Sequence, residues 1–326
     1  MAKHMSIVID PGELARLRVP TACGAVVTDT AARMWPYKFV AGILERLLVD
    51  STDGVAGRFN LQTHTPVTGI CPFAPDDDDE KVIDGGDATV ARWVVNTERG
   101  DVKAGKVVLA TNAYTSHLLH GFADLIVPCR GEMSALVPPP SVSGENRLQT
   151  SFGFEGDAQD DYLIQRPNEK GGHLMYGGGR QFGLSIGNAD DSTIEKKSAK
   201  YLRRALVTLL GLPGDVEQEL EAVKEWTGVM GFSRDNRPWV GQVPGMAGLY
   251  ISAGYTGHGM PNTWLCGKAV AVMLEQSSVD GGIEAAVNET GLPESYVLTD
   301  ARLEKARALA TVEEQDHMGM FKAEST

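Results

Sequence analysis

Near the C-terminal end of this 326-residue chain, Gly248-Leu249-Tyr250-Ile251-Ser252-Ala253 reads as an apolar strand. It runs through the glycine-rich loop Gly254-Tyr255-Thr256-Gly257-His258-Gly259-Met260-Pro261 into an apolar helix from Asn262 to Leu274. A buried strand feeding a helix in this way restricts the chain to folds in which the helix packs back on the strand's own sheet. Glycines 254, 257 and 259 permit positive φ and close approach of a flat ligand, and the first N–H groups of the helix have no intrahelical acceptor. With the positive end of the helix dipole in the same place, the loop suits a planar, electron-rich group or another anion. An ordinary strand-to-helix connection has the same spacing, so spacing alone leaves both readings open.

Upstream, Trp226-Thr227-Gly228-Val229-Met230-Gly231-Phe232-Ser233-Arg234-Asp235-Asn236-Arg237-Pro238-Trp239-Val240-Gly241 precedes that loop. Together they resemble the C-terminal flavin-binding part of the D-amino acid oxidase (DAO) family of FAD-dependent oxidoreductases. Ala31-Ala32-Arg33-Met34-Trp35-Pro36-Tyr37-Lys38-Phe39-Val40, Leu61-Gln62-Thr63-His64-Thr65-Pro66-Val67 and Lys106-Val107-Val108-Leu109-Ala110-Thr111-Asn112-Ala113-Tyr114 match in the same order. The similarity covers most of residues 22–276 and is strongest for the amine- and sarcosine-oxidase-like members.

The resemblance implies an α/β fold with an α+β substrate part. A Rossmann-like FAD-binding layer is expected from residues 1–123 and 225–276, an inserted antiparallel β substrate domain from 124–224, and a peripheral tail from 277–326. The family's first βαβ unit carries a Gly-x-Gly-x-x-Gly turn for the FAD pyrophosphate. No such turn occurs in this sequence, and Gly177-Gly178-Gly179-Arg180-Gln181-Phe182-Gly183 has the wrong spacing. At the N-terminus Ser6-Ile7-Val8-Ile9 starts as a strand, Pro11 stops it, and Glu13 to Arg18 reads as a short helix. The FAD layer is therefore expected to be incomplete, in a family member lacking its N-terminal portion.

Lys and Arg total 30 against 43 Asp and Glu, a net charge of -13, which argues against nucleic acid or an anionic membrane as partner. No window reaches the apolar length of a membrane-spanning helix, and Met1-Ala2-Lys3-His4 lacks the apolar core of a signal peptide, so a cytoplasmic location is the default. Cysteines 23, 71, 129 and 266 are scattered, so neither disulfide nor metal is expected, and each reads as a small core filler.

Along the chain, residues 31–49 place Val40, Ile43, Leu44, Leu47 and Leu48 at helical spacing, predicting an amphipathic helix facing a sheet. Residues 59–70 read as a strand, and Asp76-Asp77-Asp78-Asp79-Glu80 as a solvated loop. Residues 93–97 and 106–110 predict a hairpin whose second arm is a central strand. Residues 126–133, 161–167 and 172–178 are β-like, and a helix at about 193–210, with Ala199, Leu202, Leu206 and Leu209 on one side, is expected to pack behind their sheet. A strand at about 221–232 then returns to the flavin layer.

The activity implied is oxidation of an amine or amino acid C–N bond, with hydride moving from the substrate carbon to noncovalent FAD while the amine is neutral. The backbone at Gly254, Tyr255, Thr256, Gly257, His258, Gly259 and Met260 would face the flavin, with Gly228, Gly231 and Asp235 contributing from the preceding segment. Gly228 stands where covalent members carry a cysteine. Val67 corresponds to an adenine contact, and Ala110-Thr111-Asn112 to a turn near the dinucleotide, with Asn112 suited to left-handed backbone in place of the frequent glycine. His258, Tyr162 and Arg166 are the candidate catalytic residues, with Arg180 and Trp226 as further substrate contacts. Met175 stands where sarcosine-oxidase-like members carry a lysine, leaving oxidase and dehydrogenase both open. A flavin-free remnant acting as a binding protein is the alternative; the sequence is silent on oligomeric state.

Overall fold

The computed structural model describes residues 4–52, 59–74, 92–156, 159–183, 185–276 and 282–315. The acidic run 76–80 lies outside them. In chain order the elements are β1 (Met5–Val8), α1 (Pro11–Arg16), β2 (Ala25–Thr28), α2 (Pro36–Thr52), β3 (Val67–Pro72), β4 (Trp93–Thr97), β5 (Val102–Ala104) and β6 (Val107–Leu109). There follow α3 (Thr115–Leu118), β7 (Ile126–Leu136), β8 (Phe152–Gly156), β9 (Gln159–Gln165), β10 (Leu174–Gly178) and α4 (Lys196–Leu209). The last are β11 (Ala222–Ser233), β12 (Trp239–Gln242), β13 (Leu249–Ala253), α5 (Gly259–Glu275), α6 (Ile283–Thr290) and α7 (Asp300–Arg307).

The largest sheet is antiparallel, in the order β11-β7-β10-β9-β8. The α4 helix covers one of its faces: Leu202 and Leu206 share a core with Leu136, Leu163, Leu174 and Tyr176, as the apolar spacing of residues 193–210 predicts. Glu195 caps that helix by accepting from the Lys197 amide. A three-stranded sheet, β12-β13-β6, holds β13 at its centre, with every β13 residue buried, parallel to β6 and antiparallel to β12. Strands β3, β4 and β5 form a separate meander. The N-terminal strand and helix form as the sequence predicts: Asp10 accepts from the Glu13 amide at 2.9 Å, and Pro11 starts α1.

Several expectations are corrected. The 93–97 strand turns at Arg99-Gly100 into β5, not into 106–110; β6 instead joins β13 at the edge of its sheet. An apolar strand satisfies its burial in either place, so composition did not choose the partner. The strand expected at 59–70 begins only at Val67. Helix α2 forms, but Val40, Leu47 and Leu48 are exposed, and its Phe39 ring meets Trp264 of α5 at 5.6 Å instead of a sheet. Cys129 and Cys266 are buried, whereas Cys23 and Cys71 are exposed and fill no core. Past a register shift between Ala222 and Lys224, strand β11 pairs with β7 residue by residue to Ser233, so it belongs to the large sheet across residue 225.

The segment after Gln276, read as a peripheral tail, packs into the body where it is described. Leu298 and Ala306 join the core of Trp239 and Ile251, and Ala286, Leu292 and Val297 join that of Val240 and Met273. Arg302 fastens this segment. Its guanidinium donates to Asp235 at 2.8 and 3.0 Å and to the carbonyls of Pro238, Tyr296 and Arg237, and it lies 3.8 Å over the Trp239 ring. Burial by itself would raise the Asp235 carboxyl, but Arg302, the Ser233 hydroxyl and the Arg237 amide outweigh it and hold it below the usual carboxylate value. A depressed carboxylate pKa stabilises fully above the unfolded value and is lost as pH falls through the folded one. Arg302→Ala is therefore expected to cost about 3–5 kcal/mol at neutral pH by leaving a buried charge unpaired. Chemical denaturation would measure it, and the loss of stability below about pH 4 should be shallower in the variant than in the parent.

Candidate active site

Three chain segments meet where β6, β11 and β13 end. After β6 the backbone turns at Asn112 with φ 44°, the left-handed geometry that asparagine tolerates best after glycine. The turn aims the Asn112 side chain at the end of β13, where its Oδ1 accepts from the amides of Gly254 (3.0 Å) and Tyr255 (3.3 Å). Gly231 of β11 closes against the same residue: a Cβ there would lie 2.8 Å from Asn112 Oδ1 and 2.9 Å from the Ala113 amide nitrogen. The loop after β13 then bonds the outer edge of β11, with the Thr256 amide donating to the Gly231 carbonyl (2.8 Å) and the Ser233 amide to Thr256 Oγ1 (3.0 Å).

The loop's amides divide into two groups. Those of Gly254 and Tyr255 are taken by Asn112, that of Thr256 by Gly231, and that of His258 by the Tyr255 carbonyl. Among the described residues the amides of Gly257, Gly259 and Met260 have no protein acceptor. They lie at the start of the 17-residue α5, where its dipole is positive. Gly257 has φ 76°, and a Cβ placed on it would meet nothing within 4 Å. Of the seven loop residues expected to face a ring with their amides, four thus spend them inside the protein.

His258 is exposed, and its Nδ1 lies 2.7 Å from the Thr256 carbonyl. A carbonyl only accepts, so Nδ1 carries the proton and a neutral ring leaves Nε2 as an acceptor. The Tyr255 hydroxyl is buried against Ser252 Oγ at 2.7 Å, and burial pushes its pKa up, so it stays protonated. Thr111 pairs with Thr115 at 2.8 Å, and Ala110 is the exposed residue between β6 and that turn. Val67 lies in β3, paired with Thr97. Asp235 is committed to Arg302, Ser233 and Arg237, so its carboxylate is occupied.

The remaining site residues lie on the large sheet. Cross-strand partners share a face, and the register Trp226↔Met133↔Gly177↔Tyr162 puts Tyr162 and Trp226 on the face opposite α4. Gly228, opposite Gly131, lies on it too, and a Cβ on Gly228 would meet nothing within 4 Å. The half-exposed Tyr162 donates to Met133 Sδ at 2.8 Å. Arg166 stacks 4.9 Å over Trp35, and Arg180 pairs with Asp160 and stands over Phe232. The structure thus gathers Asn112, Gly231 and residues 254–256 into one bonded junction, and places Tyr162 and Gly228 on one sheet face. His258, Tyr162 and Arg166 each bond within their own neighbourhood.

Two methionines of that face, Met133 and Met230, were missed as site residues, while Met175 was noted only for standing where relatives carry a lysine. Their signal was present: Trp226, Gly228 and Met230 alternate, as do Gly131 and Met133, which is the spacing of side chains sharing one face of a strand.

Residues 2–273 match the family described as "DAO: FAD dependent oxidoreductase". The chain belongs to this family. Within it, the chain is 27% identical over 173 residues to glycine oxidase of Pseudomonas aeruginosa, covering 51% of this chain and 40% of that protein. It is 25% identical over 184 residues to gamma-glutamylputrescine oxidoreductase of Escherichia coli, covering 56% and 39%. The matches thus span about two fifths of the length of these curated relatives. Among solved structures, glycine oxidase from Geobacillus kaustophilus superposes with a TM-score of 0.61 at 20% identity, covering 92% of this chain and 68% of that one. L-proline dehydrogenase from P. horikoshii gives 0.61 at 19% identity, covering 88% and 69%. These likenesses establish the fold. No helix among the described residues is long and apolar enough to cross a membrane.

Asn112→Ala should lower stability by about 2–4 kcal/mol, because it unpairs two part-buried amides and places a Cβ residue without a compensating bond in left-handed backbone. Gly231→Ala should cost about 1–3 kcal/mol through collision with the Asn112 turn. Urea unfolding midpoints of the two variants and the double variant would show whether the losses couple, as a shared junction requires.

Proposed function

We propose that this DAO-family chain oxidises the C–N bond of a small amine or amino acid, with FAD held noncovalently at the start of α5. The observation that carries the reading is the set of unpartnered amides at Gly257, Gly259 and Met260, fixed beside the outer edge of β11 by Asn112 and Thr256. Their fit to a flavin rests on two features. Donors with no acceptor of their own suit the carbonyl edge of the ring, and the open space at the Gly257 Cβ position admits a flat group. FAD, when bound, supplies the acceptor for the hydride that leaves the carbon beside the amine nitrogen.

The chain's own residues would hold and orient. The amides of Gly257, Gly259 and Met260 stabilise negative charge on the ring edge without reorganising, because Asn112 fixes the loop beforehand. Gly228 leaves the sheet face low, and Tyr162, three strands away on the same face, orients the substrate. His258 offers Nε2 as an acceptor at the loop. Arg166 acts through Trp35, stiffening the rim at the far end of β9. Ala110 and Thr111 line the approach to the dinucleotide, and Val67 contributes from β3. In this reading, residues 1–123 and 225–276 serve the cofactor and 124–224 the substrate, with β11 shared.

The second reading is a flavin-free binding protein, in which the loop amides already taken by Asn112, Gly231 and Tyr255 serve only to close the junction. Titration with FAD separates the two. The proposal expects flavin absorbance that survives gel filtration and bleaches anaerobically with an amine; a protein that stays colourless with excess FAD defeats it. Gly257→Ala should raise the FAD dissociation constant at least about tenfold by placing a methyl group in the open space, while costing only about 1–2 kcal/mol of stability from its positive φ.

A further inference from the structure

The sheet face opposite α4 has a chemical character that narrows the substrate. Met133, Met175, Met230, Tyr162, Ile164 and Trp226 share it by register: Trp226↔Met133↔Gly177↔Tyr162 is one row, Ala135↔Met175↔Ile164 the next, and Met230 stands two residues from Gly228. Contacts confirm the side. A Cβ on Gly177 would fall 2.2 Å from Met133 Sδ and 2.7 Å from the Tyr162 ring, and one on Gly131 would fall 3.0 Å from Met230 Cε. Glycine at 177 is what lets the thioether and the phenol meet. The result is a half-exposed strip of thioether, aromatic and aliphatic surface, soft enough to fit hydrocarbon groups of different shape.

Charge on the same face points the same way. Arg180 is paired with Asp160, Arg166 keeps its charge but stacks on the Trp35 ring past the end of β9, and Lys224 is exposed on this face in the row Lys224↔Ala135↔Met175, two residues beyond Trp226. At the β8–β9 end Glu155 stands opposite Asp160, which Arg180 already pairs. The chain as a whole carries -13. A carboxylate beside a nitrogen that reacts near Gly228 would lie on thioether surface, four residues or about 13 Å along β11 from Lys224, an exposed cation that shares this face through its pairing with Ala135, and would meet an acidic field. A cationic or neutral amine meets neither obstacle. The strip is also placed for the chemistry: Gly228 is three residues, about 10 Å, along β11 from Gly231, which bonds the loop that carries the free amides.

We infer that the substrate is an amine whose nitrogen-bearing carbon has an apolar substituent and no carboxylate, its hydrocarbon part lying on the methionine strip of β7, β10 and β11. This rests on the oxidoreductase reading above and narrows it from amines and amino acids to the first alone.

Phenethylamine and phenylalanine differ only in the carboxylate and make the test. Each is titrated into the protein without FAD, following the part of the tryptophan fluorescence that Trp226→Phe removes. In FAD-loaded protein, anaerobic flavin reduction gives kcat/KM for the amine and for both enantiomers of the amino acid. Phenethylamine is expected to bind at least tenfold more tightly and to reduce flavin with a kcat/KM at least tenfold higher. Met175→Arg, which lays a guanidinium on the strip, should reverse the binding preference, while Met175→Leu should keep it. Equal or tighter binding of phenylalanine, or binding of neither compound, overturns the inference; where flavin still binds, the oxidoreductase reading survives that result. If FAD does not bind but the amine preference and its reversal persist, the strip stands and the flavin reading fails.

Discussion

One asparagine side chain fixes how the functional parts of this molecule meet. Asn112 turns the chain after β6 in left-handed backbone, accepts from the first two amides past β13, and lies so close to β11 that only glycine fits at 231. Three strands from two sheets are tied at one residue. Without that tie, the amides of Gly254 and Tyr255 would compete with the rest of the loop for any acceptor, and the relation between α5 and the large sheet would loosen. The free donors at Gly257, Gly259 and Met260 are defined as much by what Asn112 has already taken as by the helix that follows.

The large sheet divides its labour by face. On one side α4 seals an apolar core over Leu136, Leu163 and Leu174, and Asp161 is the polar centre beneath it, accepting from Tyr176 (2.7 Å), Tyr201 and the Gly179 amide (2.9 Å). Gly178 must be glycine there, since a Cβ would collide with the Asp161 carboxylate. That buried network pins the turn from which Arg180 reaches over to Asp160 on the opposite face. Rigidity on the packed side thereby sets geometry on the open one.

The elements whose pattern is local were legible in the sequence. The Asn112 turn, the apolar β13, the amphipathic α4 and a strand at β11 follow from residue type and spacing, and the DAO resemblance follows from the order of the matched stretches. What was hidden depends on pairing at a distance. The partner of β6 is decided across more than 140 residues, and an apolar strand fits either neighbour. Asp235 reads as a site residue beside Gly231, but its partner, Arg302, is 67 residues away. The methionine strip exists only once three strands are set in register, although each strand shows the alternation by itself. Helix α2 carries the expected apolar spacing, yet spacing cannot tell what, if anything, covers it.

The grip of Arg302 on Asp235 and Trp239 bears on where the chain can be trimmed. The stretch that matches the family ends at residue 273, which would be a natural place to cut. Cutting there would strip Leu292, Val297, Leu298 and Ala306 from two cores and abandon a buried carboxylate beside a bare indole. Such a fragment would begin life with a wound in the wall behind β12, so the folding unit extends past the boundary that family likeness draws.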